Sequence, residues 1–162
     1  MDISSLSSIF THWPTDWILI GAFTAFAALD AMRSGPTRAT ALMLSLPTAL
    51  FLIDKLPDAV FLGALSAQLV SPLAQAGVFV IVTVALFFVI HRVMFTFSNG
   101  LPPIQALIAG IAATIVLVIV WLQVPGLDSV WHFGGQVQAV FSEAYRFWWL
   151  LASYFALAFV RS

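Results

Sequence analysis

Residues 104–124 read "IQALIAGIAATIVLVIVWLQV", 21 residues without one formal charge. At 1.5 Å of rise per residue, a helix of that length reaches about 31 Å, the thickness of a bilayer's hydrocarbon core. The run therefore reads as a transmembrane helix. The fold depends on how many other runs pass the same ruler.

A second passes at 73–92, where "LAQAGVFVIVTVALFFVI" is uncharged up to His91 and Arg92. The first run is bounded less simply, because only 13 residues separate Asp16 from Asp30, about 20 Å of helix. Its ends must lie beyond both acids, which gives a span over 14–33. Trp13 and Trp17 then anchor one interface and Arg33 the other. A further span over 39–56 contains Pro47, which removes a backbone donor and kinks the helix. The segment 145–160 is a marginal fifth, since "FWWLLASYFALAFV" offers only 14 residues before Arg161, about 21 Å.

Two stretches are too short or too polar to cross and read as interfacial amphipathic segments, 58–71 and 127–144. In the second, apolar residues recur near helical spacing, and Gly134 with Gly135 breaks the helix midway. The predicted fold class is an all-α polytopic transmembrane helical protein in a single membrane domain over 1–162. Composition agrees: 62% of the 162 residues are hydrophobic and 8% charged, against about 25% charged in a soluble domain.

The net charge is −1, with six basic residues spread along the chain, so there is no nucleic-acid footprint. Without cysteine there is no disulfide or thiolate chemistry. The first hydrophobic run lacks a preceding Lys or Arg and is expected to remain as an anchor rather than a cleaved signal. Arg33, Arg38 and Arg92 set the topology: by the positive-inside rule their loops lie inside and the N-terminus outside. A parallel repeat is also legible, with helix, Gly-Pro turn, helix and outer segment occurring over 17–71 and again over 73–146.

Asp30 falls about one turn inside the interface on this reading. An acid at a bilayer's centre usually marks a pathway or relay, but Asp30 sits one turn from the interface with Arg33 at i+3. Structural pairing and functional use both remain open. Gly21 with Ala25, and Ala106 with Gly110 and Thr114, form small-residue stripes that suit helix packing or a dimer seam. Thr24, Ser45, Thr48, Thr83 and Thr114 are the mid-span hydroxyls, and such groups can bond their own helix backbone. The three histidines show no metal-ligand spacing, and no nucleophile elbow, zinc helix or phosphate loop occurs. No catalytic residue, metal or cofactor is expected, and the chain is not read as an enzyme.

The arrangement resembles the colicin V production protein (CvpA) family of small bacterial inner-membrane proteins. The likeness covers residues 16 to about 126: the start "DWILIGAF", the basic turn carrying Arg33, Gly35 and Arg38, an outer amphipathic stretch, and a small-residue-rich last span. The Asp-Arg pair often found before the family's fourth span is missing from "LPPIQALIAGIAAT", although Gly110 is retained. The resemblance implies a component of the bacterial inner membrane concerned with colicin production or secretion, or with envelope homeostasis. Its expected partners are the lipid bilayer and a membrane protein or second copy. A small transporter or channel, and an interaction subunit of a membrane complex, are the alternatives.

Overall fold

The structure, a computed structural model, describes residues 15–55, 71–93 and 100–161. They form seven helices: α1 (Thr15–Ser34), α2 (Pro36–Asp54), α3 (Pro72–Val93), α4 (Pro103–Gln123), α5 (Pro125–Asp128), α6 (Gly135–Val140) and α7 (Glu143–Arg161). Helices α1 to α4 are long and apolar enough to cross a membrane. The protein is thus an all-α polytopic membrane protein. The interfacial segment expected at 58–71 lies, except for Ser71, outside the described residues.

Proline sets most of the boundaries. Helices α2 to α5 all begin on one, where its missing N–H costs no intrahelical bond. For that reason α2 starts at Pro36, three residues before the expected position. Between α1 and α2 the only non-helical residue is Gly35, at φ 74°, a left-handed conformation open to glycine at little cost. Its N–H bonds the Ala31 carbonyl at 3.0 Å, and that oxygen also accepts from Leu101 N–H at 3.3 Å. One carbonyl thereby ties the first turn to the entry of α4. The long helices alternate in direction between this Gly35 end and an opposite end marked by Trp131.

The 104–124 run becomes the central helix. α4 packs against α1, α2 and α7, whereas α3 packs on α2 and, at the Trp131 end, on α5. The four spans thus lie in the order α1, α4, α2, α3.

Membrane helices associate through close packing more than through hydrophobic burial. Ala106, Ala109, Gly110, Ala112 and Ala113 of α4 are all buried. A Cβ on Gly110 would lie 2.8 Å from Ala28 N and 2.9 Å from Thr24 O, so only glycine allows this approach. Packing within the chain, one of the two roles expected at Gly21 and Ala25, is corrected here. Both residues are exposed, and a Cβ at Gly21 meets nothing within 4 Å. Helix α1 turns its Thr24, Ala28 and Ala31 side to α4 instead, placing Gly21 and Ala25 outside the bundle.

Helix α7 has 19 residues, about 28 Å, and exceeds its expected length because Glu143, Ala144 and Arg161 join it. It begins beside the Trp131 end of α4, where Trp149 and Leu150 pack on the cluster containing Val118 and Ile119. Further along, Tyr154 Oη donates to the Met43 carbonyl at 2.9 Å. Met43 is four residues before Pro47, so this is the carbonyl that proline's missing N–H leaves free. Helix α7 therefore supplies the donor that Pro47 withholds within α2.

Candidate functional site

At the Trp131 end, residues 129–140 form a cap over the bundle. Phe133, Val137 and Phe141 are buried against Val118 and Ile119, so the apolar side of this amphipathic stretch already faces inward. Indole N–H groups fasten it: Trp121 donates to Trp131 O at 3.0 Å, Trp149 to Val140 O at 3.0 Å and Trp17 to Gln136 Oε1 at 3.3 Å. Arg146 Nε donates to Phe141 O at 3.1 Å, placing a cation at the C-terminus of α6, where the helix dipole favours it.

The keystone of the cap is Asp16, which the sequence had placed only as an outer acid. It is buried, at 8% exposure, and accepts from Gly134 N–H at 2.6 Å and from Trp131 Nε1 at 3.2 Å. Its place in the first turn of α1 also aligns its charge with that helix's dipole. The partners lie more than a hundred residues away in the chain, so no local pattern could have revealed them.

At the Gly35 end, Asp30 pairs with Arg38 at 2.9 Å. This corrects the expected partner, Arg33. The Gly35 turn is so short that Arg38, in the first turn of α2, folds back beside α1. Ser34 Oγ also lies 3.4 Å from Asp30 Oδ1. Both charged side chains are partly exposed, 32% for Asp30 and 51% for Arg38, so the pair contributes no more than about 1 kcal/mol. Arg92 ends α3 at the same end of the bundle. His91 stacks on Phe87, whereas His132 bonds Asp128 at the other end.

The spacing of the spans creates a larger feature. Helices α1 and α3 do not pack along each other, and a cleft runs between them with α4 and α2 as its floor. Two hollows follow it, and a third lies between α1 and α4 with no residue of α3 in its lining. One of about 490 Å³ at the Gly35 end is lined by Asp30, Arg38, His91 and Phe26 among others. One of about 230 Å³ lies mid-bundle among Leu46, Phe79, Thr83 and Val120. The third, of about 470 Å³, opens beneath the cap beside Trp131 and Phe133. Phe23 lines all three. Of the residues singled out above, the cleft brings together Asp30, Arg38 and Thr83, and Thr114 lines the hollow beneath the cap; Arg33, Arg92 and the Gly21 stripe line none of the three.

The mid-span hydroxyls sort clearly against this cleft. Thr24, Thr48 and Thr114 donate to their own i−4 carbonyls at 2.6–2.8 Å, and Ser45 donates to Leu42 O at 2.9 Å. Thr114 Oγ1 also lies 2.9 Å from Thr24 Oγ1 and is the alternative acceptor for the single Thr24 proton. Thr83 differs. It is 9% exposed, and among the described residues its Oγ1 is the one buried side-chain polar atom without a partner. Such a group costs about 1–3 kcal/mol relative to a satisfied one.

Compared with known proteins, the chain matches no family model, no curated protein and no solved structure. The likeness to the CvpA family rests on the sequence pattern alone.

Proposed function

We propose that this chain is a non-catalytic component of a bacterial inner membrane, in the secretion or envelope role that the CvpA resemblance implies. It acts by binding another molecule laterally, within the bilayer. The cleft between α1 and α3 is the observation that carries this reading. It runs from the Asp30–Arg38 pair to Trp121 and Leu127, opens toward lipid and places aromatic walls beside that one charged pair, an arrangement suited to a binding pocket. Docking through the outer amphipathic stretch has less support, because Phe133, Val137 and Phe141 already pack on α4. Conduction through a single copy is also less supported, since α4 fills the bundle's centre with Ala, Val and Ile side chains. In this reading the Gly35 end, with Arg33, Arg38 and Arg92, faces the cytoplasm, and α7 crosses as a fifth span.

Photo-crosslinking residues placed at Phe26 and Val80, both on the cleft, test the proposal in native membranes. One adduct of defined mass is expected there, against a mixed bulk-lipid pattern at the exposed Phe155. Indistinguishable patterns at the three positions would remove lateral binding as the function.

A further inference from the structure

Of the three hollows, the one at the Gly35 end alone presents appreciable polar surface, and the polar side chains in its wall are Asp30, Arg38 and His91. The ion pair there occupies only part of the guanidinium. Arg38 Nη1 donates to Asp30 Oδ1 at 2.9 Å, whereas Nε and Nη2 donate to nothing among the described residues. Those two N–H groups form the guanidinium's other edge, a fork that matches the two oxygens of a carboxylate. Asp30 thus holds the guanidinium by one side and leaves the fork free. The His91 ring stacks on Phe87. Its nitrogens make no hydrogen bond among the described residues, so a neutral imidazole there has one N–H to offer.

Charge and shape narrow the occupant. Among the described residues the Gly35 end carries Arg33, Arg38 and Arg92 against Asp30, and α2 begins there without a side-chain cap, so both the local field and the helix dipole favour an anion. Asp30 beside the fork favours one negative charge over two. Phe23 and Leu42 line this hollow and the mid-bundle one alike, so the polar hollow continues into an apolar one. From His91 to Phe79, α3 borders them over about 18 Å of helix. The mid-bundle hollow measures about 230 Å³, not far above the roughly 150 Å³ of an engineered apolar cavity that holds one benzene ring. It has room for the width of one hydrocarbon chain, and the occluded Thr83 oxygen adds no polar surface to it.

We propose that the cleft binds a long-chain fatty acid anion, with its carboxylate in the Arg38 fork beside His91 and its chain running past Phe23 into the mid-bundle hollow. The site rests on the reading of the cleft as a lateral binding surface and specifies the chemistry of what enters it. A two-chain phospholipid would leave one chain outside the mid-bundle hollow. A phosphomonoester head would bring nearly two charges toward Asp30. Entry is from the lipid side, because α1 and α3 leave the cleft open between them, and a fatty acid already lies in the leaflet with its head at the interface.

The test uses the full chain in phosphatidylcholine nanodiscs at mildly alkaline pH, photolabelled with a palmitate analogue that carries a diazirine on its tail. Label should fall on α3 around Val80 and Val84. Palmitate should compete at a membrane concentration about tenfold below that of hexadecanol, which has the same chain and no carboxylate, the effect of one hydrogen-bonded charge. Arg38→Gln should erase that advantage and leave hexadecanol unchanged. Arg38→Lys, which keeps the turn basic but has no fork, should retain at most about threefold. Equal competition in the native chain, or the full advantage surviving either substitution, overturns the carboxylate site and leaves the cleft intact. Displacement of the label by phosphatidylglycerol as effectively as by palmitate overturns the single-chain occupant. Label spread evenly over the cleft and the exposed Phe155 side overturns the cleft as well.

Discussion

Replacing Tyr154 by Phe deletes one oxygen and tests how the fifth helix is held. Its hydroxyl donates to the Met43 carbonyl, Met43 is fully buried, and Pro47 within the same helix offers no N–H to that carbonyl. Interhelical hydrogen bonds in membranes average about 0.6 kcal/mol and reach about 1.7, since alternative partners are often found. Here the usual alternative is absent, because proline has removed the i+4 donor. Leaving a buried acceptor unmet costs about 1–3 kcal/mol, so the expected loss is about 1–2 kcal/mol, measured by denaturant titration in bicelles. Pro47→Ala supplies the missing donor. In that background the cost of Tyr154→Phe should fall by about 1 kcal/mol, a coupling within reach of a double-mutant cycle. A Tyr154→Phe cost that is negligible, or that is the same with and without Pro47, would refute the reasoning.

The other predictions concern packing, the cap and topology. Gly110→Ala should destabilise the bundle by about 1–3 kcal/mol, because the added carbon meets the backbone of α1, whereas Gly21→Ala should be neutral or slightly stabilising; equal effects in the same titration would contradict the packing of α1. Asp16→Ala should speed hydrogen exchange at the Gly134 amide by roughly tenfold or more, as loss of a charged acceptor implies, and unchanged protection there would show that Asp16 does not hold the cap. Cysteine labelling, on a chain that has no native cysteine, should reach positions 34 and 162 from one side and 129 from the other. Labelling of 162 together with 129 would show that α7 does not cross.

Much of the fold was legible because the bilayer's thickness is a ruler that acts on consecutive residues. The runs at 14–33, 73–92 and 104–124 matched their helices within one or two residues. The helix-breaking role of Gly134 was equally local. What failed was reading across the chain. Gly21-x-x-x-Ala25 and Gly110-x-x-x-Thr114 are equivalent as spacings, yet only the second lies on the side of its helix that a neighbour covers. Asp30 was given the wrong arginine, since helical spacing favours i+3 and a one-residue turn brought Arg38 closer.

The site was less legible than the fold for the same reason. Asp16, Trp131 and Gly134 meet only after α1 and the cap are assembled, and Met43 meets Tyr154 across 111 positions of sequence. Thr83 was one of five mid-span hydroxyls with nothing in its neighbours to distinguish it. Its distinction comes from what is missing around it, a property of the packed bundle alone.

The cleft itself is the central claim, and native mass spectrometry of the protein released from its own membranes addresses it most directly. The native chain should carry one small, non-protein ligand of a single mass. Phe23→Trp, which enlarges the side chain where the three hollows meet, should arrive without it at unchanged helical content. A native chain that arrives bare, or a Phe23→Trp chain that keeps the same ligand, would contradict the account.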